Sequence, residues 1–318
     1  MRPKEILNLP NSHLFGSVIV RKPNFFLIGA PKCGTTSMQR YLSEHPSIFM
    51  STPKEPCYFD NDLPYPNSPR DDDEYMRCFV GASAEHLVVG EASVGYLYSH
   101  VAVSNVLAFS PDARFMVMVR NPIDMARSMH DYSFQVLEED VEDFEAAWRL
   151  QVARENGESV PALCCQRDFV LYGKQCRLGE QLERLLKRVP RDRVHVVVFD
   201  DLLRAPGDVY RAALTFLGVP DDGRVDFGAR NVTRAHKSRL MRSATRALFS
   251  IRRKLPIRSF GIPIVGWLIS ANQGSVQKTS LRPEFRAELV EYFRTDVELL
   301  SRLLDRDLSA WIPKEDSA

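Results

Sequence analysis

The chain has 318 residues, 44% hydrophobic and 26% charged, with a formal net charge of +1. That composition supports a large buried core and excludes a disordered or collagen-like polymer, and the near-neutral balance gives no case for a nucleic-acid partner. Six cysteines without CxxC pairs exclude a disulfide scaffold and point to reduced thiols in a cytoplasmic setting.

The opening stretch, MRPKEILNLPNSHLFGSVIV, has neither a continuous apolar segment nor a small-residue cleavage site. Residues 1–22 therefore read as an extension, 23–310 as a single domain and 311–318 as a tail. FFLIG (25–29) is the first predicted strand, and a helix follows from Thr35 to Ser43, ended by His45-Pro46. SIFM (47–50) and LVVGE (87–91) are the next strands; between them DLPYPNSPRDDDEY (62–75) reads as a surface excursion whose acids are solvated. RFMVMVR (114–120) and VHVVVFD (194–200) complete the strands. Helical patterns run from Pro122 to Phe134, Asp143 to Glu155, Gly173 to Val189, Pro206 to Leu217 and Pro283 to Leu304.

Strands that are apolar at nearly every position are buried on both faces. Their alternation with helices predicts a P-loop-type three-layer α/β fold, a central parallel sheet flanked by helices, with ligands beyond the C-terminal ends of the strands. From Phe227 to Pro283 the chain has no Asp or Glu but many Arg and Lys, a face that would attract an anionic ligand. Within it FGIPIVGWLIS (260–270), the longest apolar segment, is too short to span a bilayer. No transmembrane segment is expected, and the basic flank allows weak contact with a membrane surface.

The junction of first strand and first helix carries the chemistry. Gly29 and Gly34 have the spacing of GxxxxGK[ST], a loop whose backbone N–H groups and helix dipole hold phosphate. Yet Thr35 occupies the lysine slot, and the loop's lysine, Lys32, lies between the glycines. The strand 114–120 ends in Arg120, a cation suited to a second phosphate, where a magnesium-dependent enzyme would keep an Asp. Asp200 and Asp201, after the last strand, keep a magnesium-dependent nucleotide kinase or triphosphatase open; their other reading is a helix N-cap.

PKCGTTS resembles the 5'-phosphosulfate loop of sulfotransferases that use 3'-phosphoadenosine 5'-phosphosulfate (PAPS), and VRNPIDMARSMHDY (119–132) is similar to that family's 3'-phosphate segment. The resemblance covers roughly 23–310 and is nearest to the carbohydrate (heparan-type) and bacterial members. It implies PAPS as co-substrate, no required metal, and binding by Pro31, Lys32, Cys33, Gly34, Thr35, Thr36, Ser37, Arg120 and Ser128, with Tyr172 near the adenine. NVTRAHKSRL (231–240) would supply a lid through Arg234, Lys237 and Ser238. Lys32 would stabilise the leaving phosphate oxygen. TPKEPCYFD (52–60) resembles the heparan-type segment whose glutamate is the base, which assigns that role to Glu55. His130 is the competing base, and by the resemblance Glu91 and Ser93 would face the acceptor, although Ala92 stands where heparan-type enzymes often carry Lys. The expected reaction is sulfuryl transfer to a hydroxyl or amine of a carbohydrate or glycosylated small molecule. A non-catalytic nucleotide-binding homologue is the remaining alternative.

Overall fold

The computed structural model describes residues 12–15, 18–63, 65, 68–228, 234–236, 273–275 and 280–313. Of the expected lid, Lys237 and Ser238 lie outside these residues, and Arg234 is described only as part of a short strand; the apolar stretch 260–270 lies outside them too. The chain forms two compact units, the first made of residues 1–125, 177–228 and 293–313, the second of 126–176, 229–292 and 314–318.

The first unit holds a five-stranded parallel sheet: β1 (Phe25–Gly29), β2 (Ile48–Met50), β3 (Val88–Ala92), β4 (Arg114–Val119) and β5 (Val194–Val198), in the spatial order β2-β3-β1-β4-β5. Every residue of β1 and β3 is buried, as is β4 after Arg114, which is why these strands read as unbroken apolar runs. Parallel pairing brings the C-terminal ends of all five strands to one edge. The strand order reverses beside β1, so the loop after it opens where ligands of such sheets bind. Residues ahead of the sheet form an antiparallel hairpin, Ser12–Phe15 with Val18–Arg21.

The principal helices are α1 (Thr35–Ser43), α2 (Ala102–Phe109), α3 (Pro122–Gln135), α4 (Leu178–Leu186), α5 (Pro206–Leu217) and α6 (Pro283–Leu304). Two expected helical stretches differ from the structure. The span 143–155 is two short helices, Phe144–Arg149 and Gln151–Glu155, the first capped by Asp143, which accepts from Ala146 N. Gly173 to Val189 is likewise divided, a turn at Tyr172–Gln175 preceding α4. The amides that open α4 are held by Asp296, whose carboxylate accepts from Gly179 N and Glu180 N at 2.9 Å each. A methyl group on Gly179 would meet the Asp296 carbonyl at 2.3 Å, so only glycine permits this contact.

The described end of the excursion, 68–75, is more ordered than its composition suggested. Asp71 caps a short helix, Asp72–Met76, and Tyr75 and Met76 are fully buried. Among the described residues no helix is long and apolar enough to cross a membrane.

Candidate active site

The loop after β1 is built by backbone conformation. Gly29 and Gly34 have φ of 148° and 89°, the left-handed side of the map that glycine tolerates. A side chain on Gly34 would press on Leu202 Cδ2 at 2.9 Å and on the Phe199 ring at 3.0 Å. Gly34 is the N-cap of α1 and offers no side-chain hydrogen bond; its carbonyl takes the amides of Ser37 and Met38 at 3.0 and 3.1 Å. The amides of Thr35 and Thr36 are thereby left without an intrahelical acceptor, at the positive end of the helix dipole.

Arg120, one residue past β4, fastens this loop. Its Nη1 donates to the Lys32 carbonyl at 3.0 Å, and its guanidinium lies 4.8 Å from the centre of the Phe199 ring. Lys32, at φ 61°, and Arg120 are both half-buried. Between them Cys33 is wholly buried. Burial pushes its thiol up to about 12, against the pull of Arg120 and Lys32, so it fills space and is no nucleophile. Thr35 is buried, Pro31 half-buried and Thr36 exposed.

Glu55 comes from the segment after β2. Its amide donates to the Ala92 carbonyl at the end of β3, the immediate neighbour of β1, and its exposed carboxylate pairs with Lys54. Phe59 anchors the segment: its ring meets those of Phe26, Tyr58, Tyr75, Tyr96 and Phe109 at centroid distances of 5.0 to 6.0 Å. Glu91 and Ser93 lie beneath this segment, both fully buried, and the Ser93 hydroxyl accepts the Cys57 amide at 3.1 Å. Asp60, which no sequence pattern singled out, is buried with them; the only signal was its place five residues beyond Glu55 in KEPCYFD.

Asp200 and Asp201 are engaged elsewhere. The N-cap of the helix Phe199–Arg204 is Val198, and the two acids sit in its first turn, where the dipole favours them. Asp201 pairs with Arg306, and Asp200 accepts from Trp311 Nε1 at 3.0 Å. Both carboxylates are thus committed to packing the end of the chain.

The expected site residues Ser128, His130 and Tyr172 belong to the second unit. Ser128 lies on α3, 8% exposed. His130, 2% exposed, is enclosed by the rings of Phe134, Phe144 and Tyr172, and its Nε2 bonds the Val141 carbonyl at 2.9 Å. Tyr172 is fully buried and donates its hydroxyl to Glu139 Oε2 at 2.8 Å. Glu139 also takes Arg154 through two bonds of 2.7 and 2.8 Å.

A family model for a sulfotransferase domain matches residues 22–247 of this chain. A sulfotransferase from Alicyclobacillus acidocaldarius superposes with a TM-score of 0.69 at 29% identity, covering 92% of this chain and 99% of that one. Among curated relatives, membrane-associated sulfotransferase kil1 of Dictyostelium discoideum is 28% identical over 115 residues, 36% of this chain and 24% of that protein. Human bifunctional heparan sulfate N-deacetylase/N-sulfotransferase 2 is 33% identical over 116 residues, 35% of this chain and 13% of that protein. Mouse heparan sulfate glucosamine 3-O-sulfotransferase 5 is 23% identical over 203 residues, 64% of this chain and 55% of that protein. The chain therefore spans only a minor part of the first two relatives' length.

Proposed function

Because the chain belongs to the sulfotransferase family, we propose that it moves a sulfuryl group from PAPS to an acceptor hydroxyl or amine, with residues 23–310 as the working domain. The observation that carries this reading is the loop after β1: an uncapped helix N-terminus, with Lys32 inside the loop and Arg120 bonded to its backbone. Backbone amides at such a terminus hold an anionic group without a metal ion. A transferring sulfuryl group carries less charge than a phosphoryl group, so the amides and one ammonium can suffice.

In this proposal the 5'-phosphosulfate lies against residues 31–37, and Arg120 and Ser128 bind the 3'-phosphate. Arg234, Lys237 and Ser238 would cover it, and Tyr172 would act from a distance by supporting the adenine region. Lys32 stabilises the oxygen left on the 5'-phosphate as the S–O bond breaks. Glu55 takes the acceptor's proton as the new bond to sulfur forms. The exposure of Glu55, at the same sheet edge as the loop, supports this role; the enclosure of His130 speaks against that residue as the base. The relatives named for heparan sulfate support a glycan acceptor, and six free cysteines support a reducing compartment such as the cytoplasm.

An acceptor screen with radiolabelled PAPS tests the activity. Lys32→Ala and Glu55→Gln are each expected to lower turnover by about 10²–10³-fold. Arg120→Ala is expected to weaken binding of adenosine 3',5'-bisphosphate about tenfold or more, as loss of a charged hydrogen bond does. Calorimetry in which ATP with magnesium binds tightly and the bisphosphate gives no response would overturn the reading.

A further inference from the structure

The segment that carries Glu55 rests on two buried acids. Asp60 is 1% exposed, and among the described residues neither of its carboxylate oxygens has a hydrogen-bond partner. Glu91, on β3, is 0% exposed, and its Oε1 has none either. Glu91 Oε2 accepts from the Ser93 hydroxyl at 3.2 Å. The fold makes room for this arrangement, since a side chain on Gly95 would meet Asp60 Oδ2 at 2.9 Å and the Tyr65 hydroxyl at 2.8 Å.

Among the described residues, no cation is one of the main groups that act on the pair. Asp60 faces Glu55, Asp62, Glu91, Cys57 and the phenols of Tyr65 and Tyr96; Glu91 faces Asp60, Ser93, Cys57, Cys78, Tyr75 and Tyr96. An ionised carboxylate buried without a counter-charge costs several kcal/mol, whereas the neutral acid avoids that cost and gains an O–H to donate.

We propose that Asp60 and Glu91 are a proton-holding pair beneath the base segment, and that Asp60 gives up its proton more readily once Glu55 has been neutralised. The inference rests on the reading of Glu55 as the base. Burial raises Asp60 to about 7, with Asp62 and Glu55 adding to the shift, and burial raises Glu91 to about 8 against the hydroxyls of Tyr96 and Ser93. Both groups therefore change charge across neutrality. The Glu55 carboxylate is one of the charges that keeps the proton on Asp60, and it disappears when Glu55 takes the acceptor's proton. One O–H bond forms at Glu55 as the acceptor's breaks; when the loosened Asp60 O–H then dissociates, its proton passes to solvent water and the Asp60 carboxylate replaces the charge lost at Glu55, which limits the change in local charge. Asp60 is thus a positioning residue for the reaction: it acts through Glu55 and touches no substrate.

Infrared difference titration of the full chain, following the protonated-carboxyl stretch, tests this. The wild type is expected to lose two such bands as pH rises through neutrality. Asp60→Asn should remove one and Glu91→Gln the other, with calorimetric binding of adenosine 3',5'-bisphosphate confirming that each variant is folded. Glu55→Gln, a change at an exposed side chain, should lower the Asp60 midpoint by about half a unit to one unit, the effect of removing a nearby like charge. Absence of both bands at pH 6, or an Asp60 midpoint that Glu55→Gln leaves in place, would overturn the proposal. Failure of the base reading looks different: Glu55→Gln would still transfer sulfate while the titration stood.

Discussion

Glu139 and Glu91 are both 0% exposed, yet one is saturated with partners and the other is not. Glu139 takes two bonds from Arg154, one from the Tyr172 hydroxyl and two from the amides of Asp140 and Val141 at 2.9 Å. Burial pushes its carboxyl up, but Arg154, the amides and Tyr172 outweigh it and hold the group below the usual carboxylate range. Among the described residues, no such cation is a main influence on Glu91 or its neighbour Asp60, and burial wins. The difference teaches that burial alone does not fix the charge of an acid. A satisfied network makes a rigid ion pair; a half-satisfied one makes a store for a proton.

The harshest way to break the comparison is to strip Glu139 of its partner. Arg154→Ala leaves a buried charge uncompensated and is expected to cost about 3–5 kcal/mol in urea unfolding, whereas replacing both members by apolar residues of similar volume should cost far less.

The pH dependence of stability sharpens the contrast, because the two sites have opposite signs. Asp60 and Glu91 have folded values raised to about 7 and about 8, so their contribution is complete below the unfolded values near 4 and is lost as pH rises toward 8. Glu139 is lowered, so its contribution is present above the unfolded value and is lost as pH falls through the folded one. The thermal midpoint should therefore decline between about pH 5 and 8, and Asp60→Asn or Glu91→Gln should flatten that decline, each by about 1 kcal/mol or more at pH 8. An unchanged slope in both variants would show that these carboxyls are ionised in the folded state.

Asp296 lies between the extremes. Burial raises it, while the amides of Gly179 and Glu180 pull the other way, and the net shift is upward. Asp296→Ala frees the start of α4 and is expected to cost about 1–2 kcal/mol, as loss of a helix cap does. The smallest effect belongs to an exposed pair such as Lys187–Glu183, where Lys187→Ala should change stability by less than about 0.5 kcal/mol.

The sheet was legible in the sequence because each strand's burial is written in its own residues. FFLIG and RFMVMVR need no partner to be recognised. The breaks in the helices were not legible: α4 begins where it does because Asp296, far along the chain, reaches the amides of Gly179 and Glu180. The same holds for the site. The glycines and Lys32 of the loop announced an anion-binding turn through local spacing, whereas Asp60 is buried at a place that a side chain on Gly95 would meet, beside the Tyr96 phenol. Tyr172 read as an aromatic near a ligand, and its hydroxyl is spent on a carboxylate 33 positions away.

The bare N-cap of α1 has one more consequence. A helix whose first amides lack a side-chain acceptor is completed by whatever anion settles there, so ligand affinity and resistance to heat become linked quantities. A bisphosphate at a hundred times its dissociation constant would add about 2.7 kcal/mol to the folded state. Melting curves recorded at increasing concentrations of that compound would then report its affinity without any knowledge of the acceptor.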